Sequence, residues 1–194
     1  MAYKGLNMKI TTVKTLEEAT ALASVTAFSP SNIIATIILS EYVNNTLYVY
    51  RAPSSVSPIN ARQIALSFDD SKFKVFNQNK LSTRVYENGL HYSVCGLLWD
   101  EFGSTILYNK KIETFKRKAV WDFMNEEFIR VFDLLDIEGK NKVELTPEIS
   151  NFVNFVHDRY EQKENDKIFE EACVKGQKLF YFMLDKALRA AENK

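Results

Sequence analysis

An α+β fold is predicted for this 194-residue chain, with an antiparallel β-meander before Glu113 and three helices after it. Three observations point there. Asn88-Gly89 is the strongest short hairpin signal in the chain and stands between apolar runs. Beyond Glu113, Trp121, Met124, Phe128, Val131 and Leu135 recur at helical spacing, as do Ile149, Phe152, Val156 and Tyr160. Capping residues and helix-starting prolines then divide the C-terminal half into separate helices.

Taken in order, Lys9 to Lys14 is a short β-type run. Thr15-Leu16-Glu17-Glu18 has the Thr-x-x-Glu form of a capping box and predicts a helix from about Leu16 to Ala27. Ser29 as N-cap, Pro30 at the first helical position and Phe28 stapled on Ile33 predict a second helix to about Val43, with a strand as the alternative reading of its β-branched residues. Leu47 to Arg51 alternates as a strand, and Ser57-Pro58 starts a short helix through Leu66. The meander is then Lys72 to Phe76, Leu81 to Tyr86, Leu90 to Trp99 and Thr105 to Ile112, with Gly103 at a turn. Helices follow at about Thr114 to Ile137, Pro147 to Lys163 and Asp166 to Ala191. The halves 1–112 and 113–194 are read as segments packed into one body.

Twenty-five basic and twenty-five acidic residues balance, which disfavours a general polyanion binder. The two cysteines, Cys95 and Cys173, do not form a disulfide framework. The longest apolar run, Ile33 to Leu39, is too short to span a bilayer. A cytoplasmic protein with no membrane contact is expected.

Catalytic constellations are sparse. His91 and Cys95, four apart on a presumed strand, lie roughly 13 Å from each other and cannot form a nucleophilic dyad. Two histidines and two separated cysteines offer no zinc spacing. Residues 132–148 have the acid spacing of an EF-hand only superficially, because Lys140 and Pro147 fall where the fifth and twelfth ligands belong. No glycine-rich phosphate loop occurs. Arg51 before its serine-rich loop lacks the Glu-x-Glu or Gln-x-Glu strand of an ADP-ribosyltransferase. Asp100, Glu101 and Lys111 offer the outline of a magnesium-dependent nuclease core, with Asn109 where an acid is needed.

Lys110, Lys111, Lys116, Arg117 and Lys118, interleaved with Tyr108, Phe115 and Trp121, gather cations at the positive end of a helix, where each costs about 0.3–1 kcal/mol. Neutralisation by acids such as Glu113 is the structural explanation; a patch for an acidic partner is the functional one. Val174, Tyr181 and Phe182 widen the apolar surface of the last helix and mark a homo-oligomer interface. The reading that follows is a non-enzymatic, regulatory protein-binding protein of viral or phage character, without metal or cofactor. Its alternatives are a metal-dependent nuclease or other hydrolase, and a nucleic-acid-binding accessory protein.

Overall fold

A computed structural model describes residues 10–25, 28–43, 45–53, 56, 58–59, 63–66, 75–76, 84–139, 142–160 and 165–192. Its strands are β1 (Ile10–Val13), β2 (Ala21–Ser24), β3 (Leu47–Ala52), β4 (Ile64–Leu66) and β5 (Val75–Phe76). They form one sheet in the order β1-β3-β2-β4-β5, every neighbouring pair parallel. Its helices are α1 (Pro30–Val43), α2 (Val94–Asn109), α3 (Thr114–Met124), α4 (Arg130–Glu138), α5 (Pro147–Tyr160) and α6 (Asp166–Glu192). A π-helical segment, Asn125–Ile129, joins α3 to α4.

The antiparallel meander is therefore corrected to a parallel sheet, and the helices do not form a three-helix C-terminal segment. The largest departure is α2, which replaces the strands read at Leu90 to Trp99 and Thr105 to Ile112. Ser93 caps it, accepting from the Cys95 amide at 3.3 Å. Val94 to Trp99 are buried all round, so the first turn and a half shows no helical stripe, and the exposed face of Asp100, Glu101, Ser104, Thr105, Tyr108 and Asn109 begins only after it. Gly103 is a packing residue there and not a turn: a Cβ would stand 2.9 Å from both the Trp99 ring and Trp121 Nε1. Gly96 is tighter still, 2.1 Å from Asp133 Oδ2. Asn88-Gly89 does make a tight turn, with Gly89 at φ +82° and the Tyr86 amide donating to the Leu90 carbonyl at 2.8 Å, but it closes only an isolated bridge between Val85 and His91.

The helix expected from Leu16 to Ala27 is a turn followed by β2. Gln63 accounts for it: its Nε2 donates to the Leu16 and Ala19 carbonyls at 2.6 and 3.1 Å, holding them outside any helical ladder. The small side chains of Ala21, Ala23 and Ser24 then allow close layers over the middle of the sheet. Ile64–Leu66, read as the end of a helix, is β4; residues 57, 60–62, 72–74 and 81–83 of neighbouring expectations lie outside the described residues.

α1 forms where its cap and proline predict, with Ser29 Oγ accepting from the Asn32 amide at 3.2 Å. It runs between the sheet and α2 and α6. Its Ile33, Ile34, Ile37, Ile38 and Leu39 are fully buried, each contributing about 1.5–3 kcal/mol. One core joins it to sheet residues Ala21, Leu47, Val49 and Leu66 and to Trp99, Phe128, Phe132 and Phe180 of the helices. Leu22, Ala52 and Ala65 face the other way, in a smaller cluster with Leu16, Tyr50 and Val56. Among the described residues, no helix is long and apolar enough to cross a membrane.

Candidate functional site at the carboxyl edge of the sheet

Parallel sheets concentrate binding sites where the chain leaves adjacent strands in opposite directions. That point lies between β2 and β4, because β2 continues through α1 to β3 on one side and β4 leads to β5 on the other. Ser24 and Leu66 end those two strands and line a small cavity there with Phe28 and Asn32 at the start of α1, Arg51 near the end of β3, and Phe169 in the first turn of α6. The cavity is about 10 Å³, room for roughly one water, so a larger ligand would lie across its mouth.

Arg51 supplies the charge. Its side chain is only 4% exposed, its guanidinium sits 4.7 Å from the centre of the Phe169 ring, and Nη1 lies 3.7 Å from Asp166 Oδ1. Asp166 is shared, since Lys14 Nζ contacts its other oxygen at 2.6 Å. That contact raises the Lys14 pKa. Arg51 is thus a nearly buried cation in the cavity wall that already faces the Asp166 carboxylate.

Behind the start of α1 lies a buried acid network. Asp133 of α4 accepts from Tyr86 Oη at 2.7 Å, from the Gly96 amide at 3.0 Å, and from Ser93 Oγ. Ser93 Oγ also meets Ser31 Oγ at 2.9 Å. Burial raises the Asp133 carboxyl above the usual carboxylate range, against the lowering effect of its donors. One turn on, half-buried Asp136 is pushed up to about 6, first by burial and then by the charge of Asp133, while Ser31 and Ser29 pull it down. Cys95, fully buried, is raised by burial and by the same acid; Cys173, also fully buried, is raised by burial. Both are inert thiols in this setting.

Sequence reasoning placed its candidates elsewhere. Lys110 turns inward onto fully buried Glu41 and lies 3.1 Å from Tyr181 Oη. Lys116 pairs with Glu113 at 2.9 Å and Glu192 at 3.5 Å, and Lys118 with Asp122 at 2.8 Å. Arg117 Nε donates to the Ile112 carbonyl at 2.7 Å, with its guanidinium over the exposed Tyr108 ring. Lys111 is exposed, and Trp121 stacks on Trp99. Tyr181 reaches Glu41 at 3.0 Å, whereas Val174 and Phe182 face solvent. Asp100 and Glu101 are exposed on α2, Asp100 bound to Arg84. His91 is exposed while Cys95 is buried. Asp133 and Asp136 sit on a helix, away from any calcium-loop geometry.

Arg51 and Asp133 were missed as site residues. The signal for Asp133 was its place on the stripe of Ile129 and Phe132, an acid where an apolar residue belongs. Arg51 carried only its position, at the end of an alternating run before serines.

The fold is thus α+β, with a parallel sheet whose switch point lies beside the nearly buried Arg51. Residues 39–193 match the sequence model of the family MYG1_exonuc, described as an uncharacterised protein family, UPF0160, and the chain belongs to that family. No curated protein and no solved structure matches it. The match overturns the reading as a regulatory, protein-binding protein of viral character: the family label is that of an exonuclease, which favours the hydrolase alternative.

Exonuclease chemistry is commonly metal-assisted, which calls for a cage of carboxylates and histidines. Among the described residues, no three His, Cys, Asp or Glu side chains converge. Asp133 and Asp136, one turn apart on α4, have their oxygens engaged by hydroxyl and amide donors. The segments 25–29, 53–57 and 77–80, which follow β2, β3 and β5, contain no acid or histidine in the sequence; Asp69 and Asp70, after β4, lie outside the described residues. The described residues do not fit a metal centre.

Proposed function

We propose that this chain is a nuclease-like hydrolase acting on phosphodiester-linked substrates, with the strand of nucleic acid held across the mouth of the β2–β4 crevice. Family membership supports the substrate class. The observation that carries the location is Arg51, a nearly buried guanidinium at the switch point of a parallel sheet. A larger groove of about 230 Å³, between α3 and the end of α6, is a poorer place for phosphate: Asp122, Glu126 and Glu127 rim it, and their charge repels the backbone.

End-labelled single- and double-stranded oligonucleotides, incubated with the full-length protein with and without manganese or magnesium, test this reading. Capture of the oligonucleotide and its progressive shortening from one end are expected. Oligonucleotides that remain intact and unbound under every condition would refute it.

A further inference from the structure

We infer that Asp133 and Asp136 share a single proton along the hydroxyls of Ser93 and Ser31, and that this chain of groups is a pH-sensitive clamp on the start of α1. The clamp works whatever ligand the crevice takes. Ser31, Ser93 and Asp133 are fully buried, so a hydrogen bond left unmade among them is costly.

Counting hydrogen atoms requires the shared proton. Ser93 has one hydroxyl proton, and it goes to Asp133. The 2.9 Å contact between Ser31 Oγ and Ser93 Oγ then takes its proton from Ser31. Ser31 also reaches Asp136, as Ser29 does, and with its own proton already given it can only accept there. Two hydroxyl protons thus serve three contacts, and a carboxyl group must supply the third. Asp133 already accepts from Tyr86 Oη at 2.7 Å and the Gly96 amide at 3.0 Å, so the proton rests on Asp136.

Among the described residues, the other ionisable groups facing the pair are Tyr86, Tyr92 and Cys95, with Arg130 lying 5.3 Å from the centre of the Tyr86 ring. Arg84, Asp100 and Glu126 act on Tyr92 behind them, and α1 sends hydroxyls. Tyr86, Tyr92 and Cys95 are all raised, so none ionises near neutrality. Burial and the charge of Asp133 hold the Asp136 proton to about pH 6. Its stabilising effect is therefore complete below the ordinary carboxylate value of about 4 and lost as pH rises through the folded value. Ser31 then turns from Ser93 to Asp136, and the tie between α1 and the α2 cap is broken. Phe28 and Asn32, which flank Ser29 and Ser31, line the crevice, so its wall is released with them.

Carbon-13 titration of the aspartate side chains in the full-length protein tests the shared proton. One carboxyl of the pair should titrate near pH 6 while the other stays ionised. Asp136→Asn sets a permanent N–H donor opposite Ser31, as the protonated acid does. Urea unfolding should find this variant close to wild type at about pH 4.5 and more resistant at about pH 7.5. Amide exchange at Asn32 and Ile33, corrected for its intrinsic pH dependence, should quicken across that range in wild type and not in the variant.

Both carboxyls titrating near about pH 4, or both still protonated at about pH 7, overturns the inference. An Asp136→Asn protein with the same advantage at both pH values, or exchange that quickens equally in the two proteins, also overturns it. Should Asp136→Asn not fold, the wild-type titration decides alone.

Discussion

Asp133→Ala is expected to destabilise the protein by about 3–5 kcal/mol, because three buried donors lose their acceptor together. Tyr86 Oη, Ser93 Oγ and the Gly96 amide all end on this carboxylate. Each such group left unsatisfied costs about 1–3 kcal/mol. Part is recovered because the desolvated carboxyl group is itself removed, so the total falls below the simple sum. Asp133→Asn keeps an acceptor oxygen and carries no charge into the core, so its loss should be clearly smaller. Urea unfolding of both variants measures this. Equal stability of wild type and Asp133→Ala would mean that the network does not hold α2, α4 and the Tyr86 turn together.

The second large effect belongs to Glu41 and Lys110, whose side chains are 0% and 7% exposed. Tyr181 Oη donates to Glu41 at 3.0 Å and Gln177 Nε2 at 3.4 Å, so this contact ties α1, the end of α2 and α6 together. Glu41→Leu alone leaves a buried ammonium uncompensated and should cost about 3–5 kcal/mol. Lys110→Met alone strands the carboxylate with a similar penalty. The double replacement removes both charges and should be less destabilised than either single variant. A double-mutant cycle by denaturant titration reads that coupling directly. Additive losses would show that the two side chains do not depend on one another.

What could be seen in the sequence was local chemistry. Ser29 and Pro30 announce α1 because an N-cap and an N1 proline act within one turn, and Thr146-Pro147 announces α5 in the same way. α2 was hidden by its surroundings: its first turn and a half, Val94 to Trp99, is buried all round and has no polar face to read, and Gly103 serves ring packing where it reads as a turn. β2 was hidden by a local signal that a distant residue overrides, since Gln63 holds the carbonyls that the Thr15–Glu18 capping box would have turned into a helix. The parallel order was beyond reach for a related reason. Its strands are two to six residues long and pair with partners remote in sequence.

The site followed the same division. The cations at Lys110 to Lys118 were conspicuous because they are close in sequence, yet in space Lys110 is committed to Glu41, and Lys116 and Lys118 to acids of their own. Arg51 stood alone in the sequence and gains its setting from Phe169 and Asp166, more than a hundred residues away. A crevice assembled by topology leaves no spacing to read.

Backbone amide shifts during titration of the full-length protein with a short oligothymidylate test the central claim most directly. Changes concentrated at Ser24, Asn32, Arg51 and Phe169 are predicted, because these residues meet at the mouth of the crevice. Shifts confined to Tyr108, Lys111 and Lys118, with the carboxyl edge of the sheet unmoved, would contradict the account.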